Sequence, residues 1–159
     1  MKIGIQYVGG LLDETELREI RALAKDHGYE LKENDIGCKP FALGGEFTGF
    51  FFFLSPALLE AMATGVISSA SYDALKTMIG KVARGISGKT YTIVRPGNNF
   101  IERKAKFYLK GPWSDLQMEI PSENADAIHA AIQEVVEAFK DANKANSADT
   151  KSSADDLQR

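Results

Sequence analysis

Gly88, Lys89 and Thr90 have the residue types that end a phosphate-binding loop. In such a loop the backbone amides cradle phosphates, the lysine contacts them and the hydroxyl contacts Mg²⁺. The first glycine of the pattern, however, falls on Ala83. The segment also runs from a predicted helix into a predicted strand, whereas a phosphate-binding loop leads from a strand into a helix N-terminus. We therefore expect a glycine-rich connection here.

Tyr72 and Lys76 have the Tyr-x-x-x-Lys spacing. This pair resembles the acid/base pair of short-chain dehydrogenases, and the resemblance covers five residues. The glycine-rich cofactor turn expected after the first strand is missing, because Gly9-Gly10 is followed by two leucines. We expect Tyr72 to pack against the protein and Lys76 to be solvated.

Cys38 is the only cysteine of the chain, and Lys39 beside it could lower the pKa of the thiol. A single cysteine excludes an internal disulfide, and with two histidines it excludes a structural zinc site built only from Cys and His. We recognise no catalytic constellation, and we predict no metal and no cofactor. An alternative function is a small enzyme or ligand-binding domain that uses the glycine-rich loops near Cys38, Glu46 and Lys89.

The segment from residue 89 to residue 110 contains six basic residues, one acidic residue and four interleaved aromatic residues. Such a pattern can bind single-stranded nucleic acid. A hairpin register that pairs Lys106 with Glu119 and Tyr108 with Gln117 instead places charges on one face and apolar residues on the other. The formal charge of −3 and the pI near 5.5 also argue against a nucleic-acid partner. We predict a charged outer face, with Lys104, Lys106 and Tyr108 as binding candidates.

The segment Phe47–Tyr72 contains 26 residues and one charge, Glu60. A membrane-spanning helix needs about 20 mainly apolar residues. The helix-start signal Ser55-Pro56 divides this segment, and Glu60 near the bilayer centre would cost about 2.5–3.5 kcal/mol. We predict a central buried strand at 50–54 followed by a helix, with a membrane-active protein as a second alternative. Glu60 and Cys38 complete the binding candidates.

The remaining patterns predict the fold class. The order β-α-β-β-α-β-β-β-α indicates an α+β or α/β two-layer sandwich, with helices on one side of a mixed sheet and an antiparallel meander towards the C-terminus. Asp13 and Glu16 form a predicted capping box, and Ser122 is a predicted cap of the last helix. We predict a single domain over residues 1–142 and a disordered polar tail over 143–159.

The charge-poor segment supplies more apolar surface than one strand and one short helix need. The order of elements is similar to that of small effector-associated modules of bacterial conflict systems, and this resemblance implies an interaction function. The beginning of the chain does not read as a signal peptide, and one cysteine favours a reducing compartment. We predict a non-catalytic, cytoplasmic module that binds a protein partner or another copy of itself.

Overall fold

The computed structural model describes residues 1–37, 49–95, 97, 99–113, 116–120 and 123–155. It confirms the predicted mixed α/β architecture. The strands are β1 (Lys2–Tyr7), β2 (Glu30–Asp35), β3 (Gly49–Leu54), β4 (Thr90–Arg95), β5 (Asn99–Lys104), β6 (Lys106–Lys110) and β7 (Gln117–Glu119). The helices are α1 (Glu14–Asp26), α2 (Pro56–Ala63), α3 (Ser69–Ile86) and α4 (Ala125–Asp155).

The main sheet has five strands in the order β2-β1-β3-β6-β7. The pairs β1/β2 and β3/β6 are parallel, whereas β1/β3 and β6/β7 are antiparallel. The continuous phenylalanine run of β3 therefore occupies the middle of the sheet, as the sequence predicts for a strand without polar alternation.

The core lies between one face of this sheet and the helices. Side chains alternate between the two faces of a strand, so every second residue of β1, β3 and β6 joins the core. These residues are Ile3, Ile5, Tyr7, Phe50, Phe52, Leu54, Phe107 and Leu109. They pack in one cluster with the apolar stripes of α1, α3 and α4.

Local side-chain caps fix where the helices start. The Asp13 carboxylate accepts from the Glu16 amide at 2.8 Å, and the Glu16 carboxylate accepts from the Asp13 amide at 2.8 Å, which confirms the capping box. Ser55 caps α2 by accepting from the Leu58 amide, with Pro56 as the first helical residue.

Helix α4 begins two residues later than the sequence pattern suggests. The Asn124 side chain accepts from the Asp126 amide at 2.8 Å, and its carbonyl accepts from the Ile128 amide. Asn124 therefore caps the helix, while Ser122 lies outside the described residues. The last core residue on α4 is Phe139, and the helix continues to Asp155. The division into a domain and a polar tail at residue 143 stays a prediction.

The predicted meander is two separate hairpins. The strand expected over residues 100–109 breaks at Ala105, whose amide donates to the Lys89 carbonyl at 2.9 Å. This bond closes a two-stranded sheet of β4 and β5, here called the ribbon. Strand β6 then enters the main sheet beside β3, where it meets a parallel partner instead of β5.

The register of the β6/β7 hairpin differs from the expected one by two residues. Tyr108 pairs with Glu119 and Lys110 pairs with Gln117. The Gly111 amide donates to the Leu116 carbonyl, and the connection between the two strands is two residues longer than in the expected register. A shift of two residues leaves every side chain on its expected face.

Candidate functional site

The face of the main sheet opposite the core carries two rows of side chains, which follow from the strand pairings. The first row is Lys32, Gly4, Phe53, Lys110 and Gln117, and the second is Asn34, Gln6, Phe51, Tyr108 and Glu119. We call these ten residues the aromatic face. Phe51, Phe53 and Tyr108 lie outside the core cluster that the helices cover.

The aromatic rings of this face form one continuous surface. The rings of Phe51 and Tyr108 stack with centroids 5.5 Å apart, and the Phe53 centroid is 6.2 Å from that of Phe51. Lys110 Nζ lies 4.6 Å from the Phe51 centroid and 5.9 Å from the Phe53 centroid. Phe53, Tyr108 and Lys110 are half-buried. This surface thus combines apolar area with a cation held in place by two rings.

Gly4 makes a hollow in the first row. It lies between Lys32 and Phe53, and it contributes no side chain. A Cβ atom at Gly4 would lie 3.4 Å from the Phe53 Cβ, which is an ordinary contact, so the fold does not require a glycine there for lack of space. A trough of about 790 Å³ passes over this point, and its walls include Pro56 and Trp113.

The trough is positively charged. Among the described residues, Lys32 and Lys110 have no carboxylate within salt-bridge distance. Glu33, the neighbour of Lys32, is occupied on the helix side of the sheet, where it accepts from Arg21 Nε at 2.6 Å. The hydrogen bonds from Arg21 to Glu33 and to Glu14 raise the pKa of the guanidinium. The charge of the Glu33 carboxylate is thus compensated by Arg21 and not by Lys32.

The structure brings together two of the sequence-predicted binding candidates. Lys106 and Tyr108 lie on the same face of β6 as Lys110. Lys106 Nζ is 3.3 Å from a Glu119 oxygen, and this hydrogen bond raises the pKa of the lysine. Lys104 is exposed at the end of β5, on the ribbon instead of the aromatic face.

The other candidates lie elsewhere. Glu60 is exposed on α2, so the single charge of the apolar segment 47–72 is not buried. Cys38 and Glu46 lie outside the described residues. Lys89 donates to the Leu11 carbonyl at 2.6 Å, so its ammonium group holds the end of α3 against the turn after β1.

Tyr72 forms a bridge between α3 and α4, and Lys76 packs beside it on α3. The Tyr72 hydroxyl is 2.8 Å from His129 Nδ1, and Gln133 Nε2 donates to the same oxygen at 3.2 Å. Lys76 Nζ lies over the Tyr72 ring at 5.2 Å and forms an ion pair with Asp73 at 2.8 Å. Both partners of the lysine lie on α3, so the contact between the two helices comes from the Tyr72 hydroxyl with His129 and Gln133.

Two further observations bear on function. Within the described ranges, no group of three or more His, Cys, Asp or Glu side chains is arranged to hold a metal ion. No helix in the part of the chain that the structure describes is long and apolar enough to cross a membrane.

Comparison of the chain with protein-family models, curated proteins and solved structures found no match.

Sequence reasoning missed the main residues of the aromatic face. Phe51 and Phe53 belong to a run of four phenylalanines, in which no alternation reveals the two faces. The alternation in β1 does distinguish the two faces, because Gly4 and Gln6 separate the buried apolar residues of that strand. To assign Phe51 and Phe53 to a face from this alternation, one must also know that β1 pairs with β3.

Proposed function

We propose that the chain is a non-catalytic protein-interaction module that binds a partner protein through the aromatic face. The observation that carries this proposal is the aromatic cluster on the sheet face opposite the helices, in which Phe53 and Tyr108 are half-buried beside the buried ring of Phe51. Aromatic side chains dominate the energy of protein interfaces, because each buries a large apolar area at low entropic cost.

The partner is a different chain instead of a second copy. Two copies that docked face to face by a twofold axis would bring the lysines of one trough, Lys32 and Lys110, towards those of the other. Like charges in a desolvated interface cost several kcal/mol. A partner with the opposite charge avoids this cost.

The groups that the sequence suggests for chemistry support a non-catalytic role. Lys89 is bonded to the Leu11 carbonyl, and Lys76 to Asp73. The first contact joins the connection after α3 to the turn after β1, and the second lies within α3. The resemblance to effector-associated modules and the single cysteine favour a cytoplasmic module, and this location is part of the proposal.

The test is a selection from a random-peptide phage library with the full chain as bait. We expect the wild-type chain to enrich peptides that a Phe53→Glu variant does not retain, because the charge disrupts the apolar surface. Phe100→Glu is the matched control, since Phe100 is 68% exposed on the ribbon. Enrichment that Phe53→Glu leaves unchanged would contradict the proposal, and so would dimerisation through this face in light scattering.

A further inference from the structure

We propose that the trough over Gly4 recognises an acidic segment of the partner, with a carboxylate between Lys32 and Lys110 and apolar side chains against Phe53. This inference rests on the proposed function and names the chemistry of the partner. It follows from the shape of the first row, the charge of its two lysines and the contacts that the aromatic rings already make.

The shape comes from the strand order. Lys32 on β2 and Lys110 on β6 stand in the same row and are separated by β1 and β3. Neighbouring strands are spaced by about 4.8 Å, which puts the two Cα atoms roughly 14 Å apart. Because Gly4 has no side chain, the surface of the sheet between the two lysines is open above its backbone. An extended segment can lie in that space with lysines at both sides.

The charge distinguishes this row from the next one. Lys110 is oriented by the rings of Phe51 and Phe53, which hold the ammonium group without neutralising it. Lys106 in the neighbouring region is paired with Glu119. Among the described residues, the positive charge of the face that lacks a carboxylate partner is therefore concentrated beside the hollow, where a carboxylate would gain charge-assisted hydrogen bonds.

The rings favour a protein segment over a nucleic acid, although both are anionic. Nucleobases bind by stacking on available aromatic faces. The Phe51 ring already contacts the rings of Tyr108 and Phe53 and the Lys110 ammonium group. The apolar walls at Pro56 and Trp113 suit aliphatic side chains next to a carboxylate.

Gly4→Val is a suitable variant to block the trough. The backbone of Gly4 is not in the left-handed region, its Cβ would meet only ordinary van der Waals contacts, and β-branched residues are favoured in strands. The charge variant is Lys32→Glu combined with Lys110→Glu. Lys25→Glu and Phe100→Glu are controls, because Lys25 is exposed on α1 and Phe100 lies on the ribbon. Circular dichroism and urea unfolding establish that each variant folds.

The experiment measures fluorescence anisotropy of the peptides enriched by the wild-type chain, with a labelled oligothymidine as a second probe. We expect the enriched peptides to be rich in Asp and Glu, and to lose at least about tenfold in affinity with Gly4→Val and with the double lysine reversal. We expect both controls to stay within about twofold of wild type.

Other outcomes separate the two proposals. Peptides that depend on Phe53 but not on Gly4, or that show no acidic excess, would overturn the acidic trough and leave the interaction module intact. The absence of any peptide that depends on Phe53 would overturn both. Oligothymidine binding that Gly4→Val abolishes would overturn the protein partner in favour of single-stranded nucleic acid.

Discussion

The Lys110 ammonium group lies 4.6 Å from the centroid of the Phe51 ring, across the boundary between β6 and β3. This contact links β3 and β6 on the sheet face opposite the helices, where the Phe51 ring is buried. The same ammonium group lies 5.9 Å from the centroid of the Phe53 ring.

Lys110→Ala should therefore lower the free energy of unfolding by about 0.5–1 kcal/mol, because the contacts of the ammonium group with the two rings are lost. The measurement is urea unfolding followed by fluorescence. Lys32→Ala is the control, because Lys32 stands in the same row, is exposed and has no ring beneath it among the described residues. The unfolding free energy of this variant should match that of wild type. Equal losses in the two variants would contradict the role assigned to the rings.

Gly49→Ala should destabilise the fold by about 2–4 kcal/mol. Gly49 has φ +146°, and a Cβ atom there would collide with the Lys106 carbonyl oxygen where β3 meets β6. Gly4→Ala is the control on the same sheet, since its Cβ meets only an ordinary contact. The midpoints of urea unfolding compare the two variants, and a Gly49→Ala midpoint equal to that of Gly4→Ala would show that this close approach is not required.

Stability should fall at alkaline pH because of Tyr29. The hydroxyl donates to the Ser71 carbonyl at 2.8 Å, and burial raises the pKa of Tyr29 to about 12. The unfolded chain ionises this phenol near pH 10, whereas the folded chain keeps it neutral to about pH 12. The stabilisation is thus complete below pH 10 and is lost as the pH rises towards 12.

The expected size of this loss is on the order of 2 kcal/mol. Tyr29→Phe lacks the titrating group, so the difference between wild type and Tyr29→Phe in urea unfolding should shrink over that pH range. A difference that stays constant from pH 9 to about pH 12 would contradict a buried neutral phenol.

The contact between Tyr72 and His129 should give a measurable coupling between α3 and α4. A double-mutant cycle with Tyr72→Phe and His129→Ala isolates the 2.8 Å hydrogen bond from the effects of each single change. Because His129 is exposed, we expect a coupling of about 0.5–1 kcal/mol. Strictly additive losses would mean that the bond contributes nothing.

Local signals predicted the elements well. The capping box of Asp13 and Glu16 and the cap at Ser55 act through neighbouring residues, so the sequence contains the whole signal. The central position of β3 followed from its lack of polar residues. The face of each residue in β6 and β7 was also predicted, because alternation has a period of two.

Long-range features could not be read in the same way. The break at Ala105 depends on a hydrogen bond to Lys89, sixteen residues earlier in the chain. The two-residue register shift depends on how Leu116 packs on Gly111, where a side chain would collide with it. The aromatic face required knowledge that β1 and β6 flank β3, which only tertiary packing decides.

The bond between Ala105 and Lys89 has a consequence for how this chain can be altered. The bond between Lys89 and Ala105 holds the two ends of the ribbon together, and among the described residues its strands pair only with each other. The positions of the two ends of the ribbon are therefore set by this bond and do not depend on the length of the hairpin between them. We therefore expect that a different hairpin, a reporter peptide or a short turn can replace residues 90–104 while β6 still pairs with β3.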